Sequence, residues 1–268
     1  MKQLTYFLVI FSILMFSCSI SVTNTPPVVT EPPVVTEPPV VTEPPIISNV
    51  TCNEMSFYLD PVLASGYNCQ TVAASTEGIE LYPQYTNLVL EGYVLSDKFF
   101  EPHIAVFPVQ DFSALYPNLV PGFVSSLQVL TGGEAPSAFT GSFDIPHLPF
   151  LPVFNAGQVF FAQYQVIPFV SGGGIRYLTE FAQYLAPVNN FDLFYTYQGL
   201  TSDGQHWISA ILPINNPILP ANADNPPTGD LESYYIDMVS QLNSQSSESY
   251  TPTLAALDAL VASITIQP

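Results

Sequence analysis

Positive charge is nearly missing from this chain. Three Lys and Arg residues stand against 22 Asp and Glu in 268 residues, a formal net charge of −19. Every acid lies beyond residue 18, where Lys98 and Arg176 are the remaining fixed cations. Nucleic acid and anionic surfaces are held by clustered Lys and Arg, so no nucleic acid is expected as a partner. Charge of either sign is scarce, at 9% of residues, which leaves Asn, Gln, Ser, Thr and Tyr to cover much of the exterior. Long apolar runs are missing too. The run at 4–16 (LTYFLVIFSILMF) falls short of the about 20 residues a helix needs to cross hydrocarbon. With 48% hydrophobic residues the chain is nevertheless too apolar to stay disordered.

Residues 1–18 have the anatomy of a secretion signal: Lys2 as a positive n-region, the short apolar run as h-region, and small Ser17 before Cys18. The stretch Leu14-Met15-Phe16-Ser17-Cys18 resembles the lipobox of bacterial lipoproteins. In that family the cysteine becomes the mature N-terminus and carries the lipid. The resemblance therefore implies acylated Cys18, a lipid bilayer as partner, and a place in the cell envelope facing outside the cytoplasm. Buried acyl chains contribute about 0.8 kcal/mol per CH₂, and two or more hold stably. Ordinary signal cleavage near Ser17 and Ser19, which would release a free protein, is the competing reading.

Two further cysteines, Cys52 and Cys69, form an even pair in a compartment that permits oxidation. A bridge between them would be worth about 3 kcal/mol in the chain-entropy model; two free thiols are the alternative. Between leader and domain, residues 19–47 hold the repeat TPPVVTEPPVVTEPPVVTEPP. Paired prolines remove amide donors and fix φ, so the segment reads as an extended polyproline spacer. Its reach is on the order of 80–90 Å at about 3.1 Å per residue.

Residues 48–268 read as one globular domain, with no linker-like composition inside it. Short β-rich runs at 86–93 and 103–109 come first. A helix is expected near 118–131, ended by Gly132-Gly133, then a proline-rich loop at 134–153. The segments 158–169, 175–185, 192–198 and 206–212 read as four antiparallel strands, a meander over about 158–213. Ser171-Gly172-Gly173-Gly174 is expected to turn the first pair, and Asp203-Gly204 the last. Helices are expected near 230–243 and 252–264, the second with Pro252 at its first position. The fold class is α+β, helices packed on an antiparallel meander sheet.

The stretches LPFLPVFNAGQVFFAQYQVIPF and GGGIRYLTEFAQYLAPVNNFDLFYTYQGLTSDGQHWISAILPI resemble a family of bacterial exported proteins without an assigned activity. This implies a shared domain and no particular chemistry. The order of sheet and helices is also loosely similar to the PsbP/Mog1 fold, by analogy only.

Catalytic motifs are absent. No Gly-x-Ser-x-Gly elbow occurs, and Gly172-Gly173-Gly174 lacks the Lys-Ser/Thr of a phosphate loop. His103, His147 and His206 each have an acid nearby (Glu101, Asp144, Asp203), but no HxxxH, HExxH or HxH spacing supports zinc. The metal candidates are Asn222, Asp224, Asp230 and Glu232, oxygen ligands in a loop where calcium would be available. Against that, Asp230 is well placed to cap the next helix. No cofactor is implied and no catalytic residue stands out. The expected function is a membrane-anchored, noncatalytic binding or envelope-structural module with an envelope protein or polysaccharide as possible partner. An extracellular hydrolase or a calcium-dependent binding domain is the alternative. A pocket gathering Glu101, His103, Asp203, His206 and Arg176 would favour the enzyme.

Overall fold

The computed structural model describes residues 48–78, 80–139, 148–184, 186–224 and 227–267. The leader with Cys18, the proline repeat, Asp144 and His147 lie outside the described residues. Along the chain run β1 (Val50–Cys52), β2 (Met55–Phe57), β3 (Ala64–Val72), β4 (Tyr85–Tyr93) and β5 (His103–Pro108), then α1 (Val109–Leu115) and α2 (Val120–Thr131). Next come β6 (Gly157–Gln158), β7 (Ala162–Phe169), β8 (Gly172–Thr179), β9 (Phe181–Ala182), β10 (Phe194–Thr201) and β11 (His206–Pro213). They are followed by α3 (Leu231–Ser244), a 3-10 turn at Ser247–Ser249, α4 (Leu254–Ala262) and β12 (Thr265–Ile266).

Seven strands form one antiparallel sheet in the order β3-β4-β5-β11-β10-β8-β7. It is two meanders side by side, joined where β5 pairs with β11 through Phe107 opposite Trp207. The four strands read from residues 158–213 are therefore successive neighbours. Side chains alternate along each strand. In β11, Trp207 and Ile211 pack with Phe112 of α1 and with Val120, Leu127 and Leu130 of α2. Ile208, Ala210 and Leu212 belong instead to the core with Tyr235 and Leu242 of α3 and Leu257 and Val261 of α4. Both faces are covered, so β10 and β11 are buried almost throughout and show no polar alternation. A small sheet, β1-β2-β12, joins the α3/α4 side. Cys52 of β1 is disulfide-bonded to Cys69 of β3, which ties this small sheet to the edge of the large one.

One cation holds the α3/α4 layer in place. Arg176 of β8 is 5% exposed, and its Nε donates to Asp258 of α4 at 3.2 Å. Its other nitrogens reach Gln165 Oε1 at 2.8 Å and the carbonyl of Gln163. Tyr195 adds a second donor to Asp258 at 3.0 Å. Burial raises the Asp258 carboxyl, an effect opposed by Arg176. Gln163 sits at a bulge in β7 with φ +53°, and its amide caps the last turn of α3 at Leu242 O (2.8 Å) and Gln245 O (3.0 Å).

Four expectations need correction. The glycines at 172–174 do not turn the chain; Val170-Ser171 do, and the glycines begin β8, with Gly172 opposite Phe169. The reason is crowding: a Cβ on Gly174 would lie 2.5 Å from the Tyr197 ring and 2.5 Å from Gln198 O. The expected strand at 158–169 is interrupted over residues 159–161, leaving β6 and β7, and the bulge lies within β7 between Ala162 and Gln165. The return strand breaks at Glu180, leaving β8 and the short β9. Pro252 precedes α4 rather than opening it, because Thr253 is the N-cap, accepting from Ala256 N at 3.2 Å.

The crowding at Gly174 is directly testable. Gly174→Ala overpacks the core and should lower stability by about 1–3 kcal/mol in urea unfolding. Gly173→Ala is the control, since its new methyl would meet nothing nearer than Thr131 Cγ2 at 3.9 Å. Equal stabilities for the two variants would contradict this packing.

Candidate functional site

A cleft of about 1040 Å³ opens where β8 breaks. One wall is the β6/β9 ribbon, paired through Gly157 with Ala182 and Gln158 with Phe181. Phe154 precedes that ribbon, and Phe99 and Phe100 lead into β5. Phe100 stacks on Phe154 at 5.3 Å with 16° between planes, and Phe154 meets Phe181 edge-on at 5.1 Å. Phe99, 61% exposed, stands edge-on to Phe100 at 4.9 Å. Phenylalanine offers π faces and no hydrogen-bonding edge, so this wall suits apolar or cationic matter over a hydroxyl-rich ligand.

Three acids line the same cleft: Glu80, Glu180 and Asp192. Glu180 is 1% exposed, and its Oε1 has no hydrogen-bond partner. Among the described residues it is the one carboxylate oxygen both buried and unmatched. Its Oε2 accepts only a long bond from Asn189 N at 3.4 Å. Asn189, fully buried, also organises Asp192: its Nδ2 donates to Asp192 Oδ2 at 2.8 Å, and its Oδ1 accepts from the backbone N–H of Phe191 and Asp192. Helix α3 fixes this loop from below. Tyr235 donates to Ala186 O at 2.6 Å, and Tyr234 accepts from Val188 N at 3.0 Å.

Burial first, and the neighbouring charge of Asp192 second, push the Glu180 carboxyl well above the ordinary glutamate range. Lys98 lies close enough for Asp192 to support its charge, yet burial lowers its pKa overall. Its ammonium is bound to Asn190 O and Asn215 Oδ1 and does not line the cleft. No Lys, Arg or His is among the described lining residues.

The residues singled out from sequence fall elsewhere. His103 turns its Nδ1 to Glu101 O at 2.7 Å on β5. Asp203 accepts from Thr201 Oγ1 and Gln205 N in the β10–β11 turn, and these bonds lower its pKa. Arg176 is sealed against Asp258. None of the five lines the cleft. Asp230 caps α3, accepting from Ser233 N at 2.9 Å, with Glu232 in the first turn. Asn222 accepts from Asp224 N at 3.3 Å. No group of three or more His, Cys, Asp or Glu stands ready for a metal among the described residues. Sequence reasoning missed Glu180 although a signal existed: it is the lone acid in the apolar run IRYLTEFAQYL.

A buried acid of raised pKa costs stability as pH rises. Between the ordinary value, 4.5, and the raised folded value, the native state holds a proton that the unfolded chain has released, so stability falls across that window. Glu180→Gln removes this loss. The variant should melt several degrees above the natural chain at mildly alkaline pH, with the gap closing below the ordinary glutamate value. A gap independent of pH would contradict the assignment.

No protein-family model, no curated protein and no solved structure matches this chain.

Proposed function

We propose that this chain is an extracytoplasmic lipoprotein, anchored through acylated Cys18 and carried on its proline-rich spacer, whose domain binds a small ligand in the phenylalanine cleft. The observation that supports the binding role is Glu180: a buried carboxylate oxygen without a partner, lining a cleft of about 1040 Å³. An unmatched buried acceptor costs free energy that packing alone does not return. Binding is favoured over hydrolysis because the phenylalanine wall has no hydrogen-bonding edge to position a hydroxyl-rich substrate, and no Lys, Arg or His joins the acids among the described lining residues. The likeness to the PsbP/Mog1 arrangement belongs to this proposal as well, resting on the antiparallel sheet between two helical layers. A noncatalytic module fits such a site: it must recognise and release, without turning matter over.

Two experiments bear on it. In cells expressing the chain, labelled palmitate should enter the natural protein and be lost from Cys18→Ala; equal labelling of both would reject the anchor. Saturation-transfer NMR with small benzyl compounds, neutral and charged, should find at least one that binds the full chain. Phe99→Ala, which removes an exposed ring, should weaken it about fivefold or more, the order of one lost cation–π or aromatic contact. Absence of binding by every compound would overturn the cleft as a ligand site.

A further inference from the structure

We propose that the cleft takes a small organic cation with an apolar body, an aryl- or alkylammonium ion, held between the phenylalanine faces and the carboxylates of Asp192 and Glu180. This rests on the cleft being a ligand site and adds the charge of its occupant. Three independent features point the same way. The phenylalanine wall presents π faces, which attract cations and carry no hydrogen-bonding edge. At the rim, Gln183 is already engaged, donating to Asn155 O at 2.6 Å. Every charged residue in the described lining is an acid, and one of them, Glu180, has a buried oxygen with no hydrogen-bond partner and no positive charge beside it in the lining.

Neither fixed cation of the domain neutralises that oxygen. Of its two fixed cations, Arg176 is paired with Asp258 and Lys98 is bound to Asn190 and Asn215. An ammonium ion entering from solvent would meet half-buried Asp192 first and settle over the rings of Phe100 and Phe154, completing the missing charge pair in a place shielded from water.

Such an occupant couples to protons. Burial and Asp192 hold the Glu180 carboxyl above the ordinary glutamate range, and a positive charge beside it favours its ionised form, so wherever the carboxyl still holds its proton, uptake of the cation releases that proton to solvent. The groups around Glu180 do not mask this. Asp192 acts against its ionisation, Glu80 lines the same cleft, and the phenols of Tyr234 and Tyr235 on α3 are pushed further toward neutrality. Tyr184 and Lys98 lie on the segments flanking the site. Affinity for the cation should therefore rise with pH, by up to about tenfold per unit, until Glu180 is ionised without help.

The test is calorimetric titration of the full chain in detergent with three compounds of similar size: benzyltrimethylammonium, benzyl alcohol and phenylacetate. The first has a fixed charge, so its own titration does not enter. We expect it to bind at least about tenfold more tightly than the alcohol, with phenylacetate weakest. We also expect its affinity to climb with pH in the natural protein and to flatten in Glu180→Gln. Equal affinity for alcohol and cation would overturn this inference while leaving the cleft a ligand site. Binding of none of the three would overturn both. A flat pH profile in the natural protein, which needs no variant to measure, would overturn the part assigned to Glu180.

Discussion

Both faces of the seven-stranded sheet are covered at its central strands, and this governs what their side chains can be. A strand with one wet face can turn its polar groups to water. Here β8, β10 and β11 cannot, so each buried polar atom must be met by another part of the protein. Gln198 shows the rule obeyed: it accepts from Trp207 Nε1 and Leu151 N and donates to Thr196 and Ser209. Arg176 shows it with a full charge, satisfied by Asp258, Gln165 and the carbonyl of Gln163. Removing one member of such a buried pair is costly because the other is left charged and alone.

Glu180 departs from the rule at the point where β8 stops being a regular strand. The interruption opens the cleft, the short β6/β9 ribbon walls it, and buried Asn189 sets the two carboxylates beside it. In a chain with so few cations the unmatched acid is a consequence of composition as much as of geometry. With Arg176 and Lys98 both engaged elsewhere, the positive charge proposed to complete this site comes from outside. Among the buried side-chain atoms left without a partner, which include Asn87 Oδ1, Gln158 Nε2, Tyr164 Oη and Asn216 Nδ2, the Glu180 oxygen is the one on a carboxylate, and on this account it marks function.

Much of the fold was legible in the sequence, because β-rich runs set between turn residues mark most strands over 86–109 and 158–213. Helices α2, α3 and α4 announced themselves by apolar spacing, and Asp203-Gly204 marked its hairpin. Strand β3 (ASGYNCQTV) was not legible: it is an edge strand, largely exposed, and carries few β-forming residues. The glycine run misled because glycine serves turns and tight packing alike, and only the position of Tyr197 decides between them. The cleft stayed hidden for a related reason. Its residues come from four separate segments, and aromatic side chains in apolar runs read as core until the chain is folded.

The protonation state of one side chain carries the account. Carbon-13 NMR of the Glu180 carboxyl, assigned by comparison with Glu180→Gln and followed through the neutral pH range, reads it directly. The account predicts a carboxyl that titrates far above ordinary glutamates in the free protein and shifts downward when benzyltrimethylammonium is added. A Glu180 that titrates with the exposed acids, unmoved by the cation, would contradict it.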